Sequence, residues 1–86
     1  MKVIFKYELT SEVLLPKGAL ILKAGTQGDT MFIWALIDPN EKEHIEREFI
    51  VIGTGHPFEY EYLKHRFVDT VFDGPFVWHI FEVNTN

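Results

Sequence analysis

An all-β fold, a small antiparallel β-sandwich or partly open barrel of about seven strands, is the class this sequence predicts. Three observations predict it. Apolar and polar residues alternate with period two through most of the chain. Short turns built on Gly and Pro, such as Pro16-Lys17-Gly18 and Asp73-Gly74-Pro75, join the alternating stretches. Two segments, Thr30–Ile37 and Phe76–Val83, are apolar on both faces, as strands in the middle of a sheet are.

The elements follow in order. Lys2–Leu9 puts Val3, Phe5, Tyr7 and Leu9 on one face and Lys2, Ile4, Lys6 and Glu8 on the other. Glu12–Leu15 is a short strand closed by Pro16 and Gly18. Ala19–Ala24 is the third strand, and Gly25–Asp29 (GTQGD) is expected to be a hairpin loop. Thr30–Ile37 is a central strand ended before Pro39. Glu43–Ile52 admits two readings. Its charged start suits a helix, but Ile45, Arg47, Phe49 and Val51 alternate, and the strand is favoured. Glu61–Val71 is a strand with Leu63, His65 and Phe67 on one face. Phe76–Val83 closes the fold, with His79 between Val77 and Phe81 and Glu82 placed opposite the tryptophan side.

Composition sets further bounds. A chain of 86 residues, 47% of them hydrophobic, builds one small β domain over 1–86 with one core. The two strands apolar on both faces are many for that size. One face then packs on the core and the other on a second subunit, so a homodimer or higher homo-oligomer is expected. A barrel that wraps both faces is the alternative. The net charge is -5 and no Lys/Arg cluster stands out, which argues against duplex nucleic acid as a partner. There are no cysteines, so disulfides, thiolate catalysis and cysteine-based zinc sites are excluded. A cytoplasmic location is expected, because the N-terminus lacks a signal-peptide pattern. No membrane association is expected either, since the longest apolar run, Met31–Ile37, is too short to span a bilayer.

Few positions invite chemistry. In Gly53-Thr54-Gly55-His56-Pro57 the glycines permit positive φ, so successive N–H groups can face one concavity and hold an anion. Thr54 adds a hydroxyl and His56 a donor that switches with pH. The stretch lacks the Gly-Lys-Ser/Thr and the following helix of a phosphate-binding loop, and it also suits a plain strand connection. Arg47 lies on an otherwise apolar face and needs a partner, either an anionic ligand or a glutamate of the chain. Trp34 and Trp78 are core residues or a stacking platform for a flat ring. His65 and His79 read as hydrogen-bonded core residues. No metal site and no cofactor is expected, because no close metal-ligand spacing of histidines occurs. No catalytic residue is assigned, because no nucleophile, base and orienting group come together in the sequence.

The segments KYEL, LPKGA, FIWALIDP, VIGTGHP and GPFVWHIFE resemble a family of short uncharacterised bacteriophage proteins, a domain of unknown function. Ile33–Pro39 and Gly53–Pro57 carry most of the resemblance, which extends over nearly the whole chain. It implies an accessory protein acting in the host cytoplasm during infection. By analogy with small phage products that disarm host defence, the expected role is sequestration of a nucleotide-derived immune signal without cleavage. Gly53, Thr54, Gly55, His56 and Arg47 would hold phosphate, and Trp34 or Trp78 would stack on the base. The alternatives are a protein-binding inhibitor of a host defence enzyme, a hydrolase of the same ligand class using His56, and a structural part of the virion or replication machinery.

Overall fold

The computed structural model of the chain describes residues 1–84. Seven strands build it: β1 (Val3–Glu8), β2 (Glu12–Pro16), β3 (Leu20–Gln27), β4 (Thr30–Ile37), β5 (His44–Gly53), β6 (His65–Asp73) and β7 (Phe76–Val83). They form a three-stranded sheet in the order β1-β4-β3 and a four-stranded sheet in the order β2-β5-β7-β6. All pairings are antiparallel. The two sheets do not close into a barrel, and the architecture is that of a small β-sandwich.

β4 and β7 are interior strands of their sheets, which accounts for their apolar character on both faces. Alternation assigns the inner faces. Ile33, Ala35 and Ile37 of β4 are buried, as are Phe49 of β5 and Ile80 of β7. Val13 and Leu15 from β2, Ala19 from the β2–β3 turn, Ala24 from β3 and Val71 from β6 complete the same cluster. The chain changes sheet twice near its start, between β1 and β2 and again at the Pro16–Ala19 turn. At the far side β3 and β6 lie together. The Asp69 carboxylate of β6 accepts the Ala24 N–H of β3 at 3.0 Å and the Lys23 ammonium at 3.2 Å. Burial by itself would raise the Asp69 carboxyl, but the hydrogen bonds from Ala24, Lys23 and Thr70 hold it below its ordinary value.

Several boundaries differ from the sequence reading. Glu43–Ile52 is a strand, with β5 paired to both β2 and β7. β3 runs on through Gly25 and Thr26, so the hairpin turn shrinks to Gly28-Asp29 between the paired Gln27 and Thr30. Gly28 has φ +62°, a conformation that costs glycine little. β6 starts at His65 rather than Glu61. The Glu61 carbonyl accepts the N–H groups of Lys64 and His65, while the Glu61 N–H donates to His65 Nδ1 at 3.1 Å. Satisfying the buried imidazole thus curls the segment that alternation alone would extend. Glu82 shares the inner face with Trp78 and Ile80 rather than opposing them, because residues two and four apart in a strand point the same way.

Candidate functional site

Arg47 and Glu82 meet on the inner face at one end of the four-stranded sheet. Register explains the meeting. Phe49 is paired with Glu82, and Arg47 sits two residues before Phe49 on the same face. The guanidinium forks onto the carboxylate, with Arg47 Nη2 donating to Glu82 Oε1 at 2.8 Å and Nε to Oε2. Arg47 Nη1 donates to the Ala19 carbonyl at 2.6 Å, which ties the sheet to the β2–β3 turn. Arg66, paired with Glu82 across β6 and β7, donates Nη2 to Oε1 at 2.7 Å. Burial raises the Glu82 carboxyl, but the bonds and charges of Arg47 and Arg66 outweigh it and hold the group below its ordinary value. Arg47 therefore has the internal glutamate partner that is one of its two sequence readings, and each of its three guanidinium nitrogens donates to a partner within the chain.

Gly53, Thr54, Gly55 and His56 lie at the other end of β5, about 20 Å of strand from Arg47. Thr54 N–H donates to the Val77 carbonyl at 3.1 Å and continues the β5–β7 ladder. His56 N–H donates to the Gly53 carbonyl at 3.0 Å, which closes a turn in which Gly55 has φ +88°. The N–H groups of Thr54 and His56 thus belong to strand pairing and turn closure. The His56 ring lies over Gly53, where an added Cβ would come within 2.8 Å of His56 Nδ1 and 3.2 Å of Trp78 Cζ3. Trp78 stacks on Phe76 with centroids 5.7 Å apart. Thr54 Oγ1 and His79 Nε2 are 2.7 Å apart, and His79 Nδ1 is 3.1 Å from Thr70 Oγ1. The imidazole is held from both sides, as a hydrogen-bonded sheet histidine is.

Trp34 is in the other sheet, on its outer face. It pairs across the sheet with Lys6 and Lys23, beside Phe32 at 6.3 Å between centroids. Trp34 and Trp78 therefore serve different surfaces. The fold brings Gly53, His56 and Trp78 together and leaves Arg47 and Trp34 apart from them.

A concavity of about 550 Å³ opens instead at the Arg47–Glu82 end. The segment Tyr60–Arg66 forms much of its wall, and Glu46 and Glu48 of β5 face it. Tyr60 and Tyr62 are 55% and 76% exposed. Phe58 and Tyr60 anchor the segment on Phe81, with centroids 5.1 and 5.8 Å away. Arg66 uses Nη2 on Glu82, and among the described residues its Nε and Nη1 have no partner. Lys64 Nζ likewise has no ion-pair partner among the described residues. Exposed rings beside uncommitted cations suit a flat molecule carrying negative charge. The sequence reading missed these residues. Their signal is the packing of two tyrosines, a lysine and an arginine into YEYLKHR, most of which falls within the expected strand Glu61–Val71 and so reads as alternation. Among the described residues no cluster of His, Asp and Glu is arranged to hold a metal ion, and no helix is long and apolar enough to cross a membrane.

No curated protein and no solved structure shows significant similarity to this sequence. One family model matches it, described as Domain of unknown function (DUF7352), over residues 1–86. A match over the whole length, on a chain folded as one small sandwich, shows that the protein belongs to this family of domains of unknown function.

Proposed function

We propose that the protein binds a flat, anionic small molecule of the nucleotide class in the concavity beside Glu82, and sequesters it without turnover. One observation carries this reading. Tyr60, Tyr62, Lys64 and the uncommitted donors of Arg66 border a single concavity of about 550 Å³. That volume lies within the range of small-molecule sites. The tyrosine faces stack on a base, which is sequence-tolerant and contributes roughly 1–3 kcal/mol per base. Arg66 and Lys64 take phosphate oxygens. Glu46 and Glu48 on the facing wall accept hydrogen bonds from ribose hydroxyls or exocyclic amino groups. Phosphate is thus directed to one side of the cleft and the sugar or base edge to the other. Arg47 takes part by fixing Glu82, which orients Arg66, rather than by touching the ligand. The Gly53–His56 turn has a structural role in this scheme.

The resemblance to short bacteriophage proteins supplies the setting. In it, the protein lowers the free concentration of a nucleotide-derived defence signal in the infected cell. Titration calorimetry with adenosine monophosphate, ADP-ribose and a cyclic dinucleotide tests the binding step. Saturable heat with at least one probe, weakened tenfold or more by Arg66→Ala, is the expected result. Recovery of the probe unchanged after denaturing the complex separates sequestration from hydrolysis. Silence with every probe, or affinity indifferent to Arg66→Ala and Tyr62→Ala, removes the proposal.

A further inference from the structure

We infer that β1 is a self-pairing edge, through which two copies of the chain form a symmetric dimer with antiparallel β1 strands centred on Phe5. The sandwich has four edge strands, and three of them are closed to such pairing. β3 and β6 cover each other through Asp69, and both carry register shifts, at Ile21/Lys23 and Phe67/Asp69. β2 has only five residues and ends at Pro16, which has no N–H. β1 has six residues, a regular register to β4, no proline and no bulge. Among the described residues no strand pairs with its other side.

Hydrogen-bond parity identifies the groups that face outward. Leu9 N–H donates to the Met31 carbonyl of β4, so the odd-numbered residues of this strand turn their backbone groups toward β4. Ile4, Lys6 and Glu8 therefore present theirs to the open edge. Side chains select the register. A twofold axis at Phe5 sets Lys2 opposite the partner's Glu8, Ile4 opposite the partner's Lys6, and Val3 opposite the partner's Tyr7. Oppositely charged cross-strand pairs are favourable and like pairs are not. An axis at Ile4 would place Lys2 opposite the partner's Lys6, and an axis at Lys6 would place that lysine opposite itself. The axis at Phe5 also makes the outward-facing residues the hydrogen-bonded pairs, and Phe5 with its copy the close non-hydrogen-bonded pair. That pairing covers Phe5, which points inward yet is 51% exposed because no strand lies beyond β1.

Edge lysines often guard against such pairing. Lys6 is turned away from that task. Its ammonium donates to Gln27 Oε1 at 2.7 Å and lies 4.4 Å from the Phe32 ring centroid, over its own sheet. Lys2 and Glu8 have no ion-pair partner among the described residues, so both are free to meet a copy of the chain. The inference is independent of the ligand reading.

Sedimentation equilibrium of the whole chain tests it. The expected mass is twice the 10.1 kDa of one chain. Ile4→Pro removes an outward N–H while sparing the β1–β4 ladder, and it is expected to give a monomer with an unchanged far-UV circular dichroism spectrum. Should that variant fail to fold, charge exchange decides. Glu8→Lys is expected to raise the dimer Kd about tenfold, and Lys2→Glu with Glu8→Lys to restore it within about twofold. A monomer at every concentration overturns the inference. So does a dimer unaffected by folded Ile4→Pro, or one weakened by Glu8→Lys and not restored by the exchange.

Discussion

Replacing Glu82 by Gln keeps the shape of the side chain and removes the charge that Arg47 and Arg66 share. The two arginines do not respond alike. The Arg66 side chain is 71% exposed, so its pair with Glu82 is screened by water and worth little. The Arg47 side chain is 16% exposed and Glu82 itself is 7% exposed. Losing the carboxylate leaves a largely buried guanidinium without its counter-charge. Breaking a buried pair from one side costs about 3 kcal/mol, the low end of its usual range, since Arg47 keeps the Ala19 carbonyl. In a chain of 86 residues that loss lowers Tm by roughly 15 °C. Urea unfolding at pH 7, followed by circular dichroism, measures it directly. The companion variant Arg47→Met with Glu82→Leu removes both charges and is expected to recover most of the stability, because apolar replacements avoid the desolvation that the pair must overcome. A single substitution costing under about 1 kcal/mol would show that Glu82 does not hold Arg47 in place, and so would a double variant as unstable as the single one.

Other consequences follow from the same contacts. Asp69→Ala leaves the N–H of the buried Ala24 without its acceptor, and should cost about 2 kcal/mol and speed hydrogen exchange at that amide. Gly53→Ala drives a Cβ against His56 and Trp78, and should destabilise by about 1 kcal/mol, part of which His56→Ala returns by clearing the exposed ring. Acid should weaken the fold through Glu82 and Asp69. Both carboxyls titrate lower when folded than their ordinary values of 4.5 and 3.8, so the unfolded chain takes up protons first as pH falls. Their contribution is present above those values and is lost as pH falls through the lower folded ones. The urea midpoint is expected to fall as pH drops below 4.5, and to fall less in Glu82→Gln.

Most of the fold was legible because alternation is a local signal. β4 and β7 stand at the predicted boundaries, and their two apolar faces correctly marked them as interior strands. The limits appeared where tertiary hydrogen bonds override alternation. His65 draws the Glu61 N–H onto its ring and shortens β6, and the Gly28 turn tightens a hairpin whose other glycine stays in β3. The site was harder to read. Arg47 announced the need for a partner, but the partner depended on the register between β5 and β7, which no single strand encodes. Gly53–Gly55 offered a nest by composition, yet Thr54 was already in the ladder. The concavity is made by a curled segment and the ends of three strands, so its lining residues converge only once the strands are paired.

Native mass spectrometry of the protein after incubation with a small-molecule extract of phage-infected cells asks whether the concavity holds a nucleotide. The expected result is a retained mass of nucleotide size on the wild-type protein, lost from Arg66→Ala and from Tyr62→Ala, and released chemically unchanged on denaturation. A protein that emerges without any such mass contradicts it, as does a retained mass that both variants hold as tightly as the wild type.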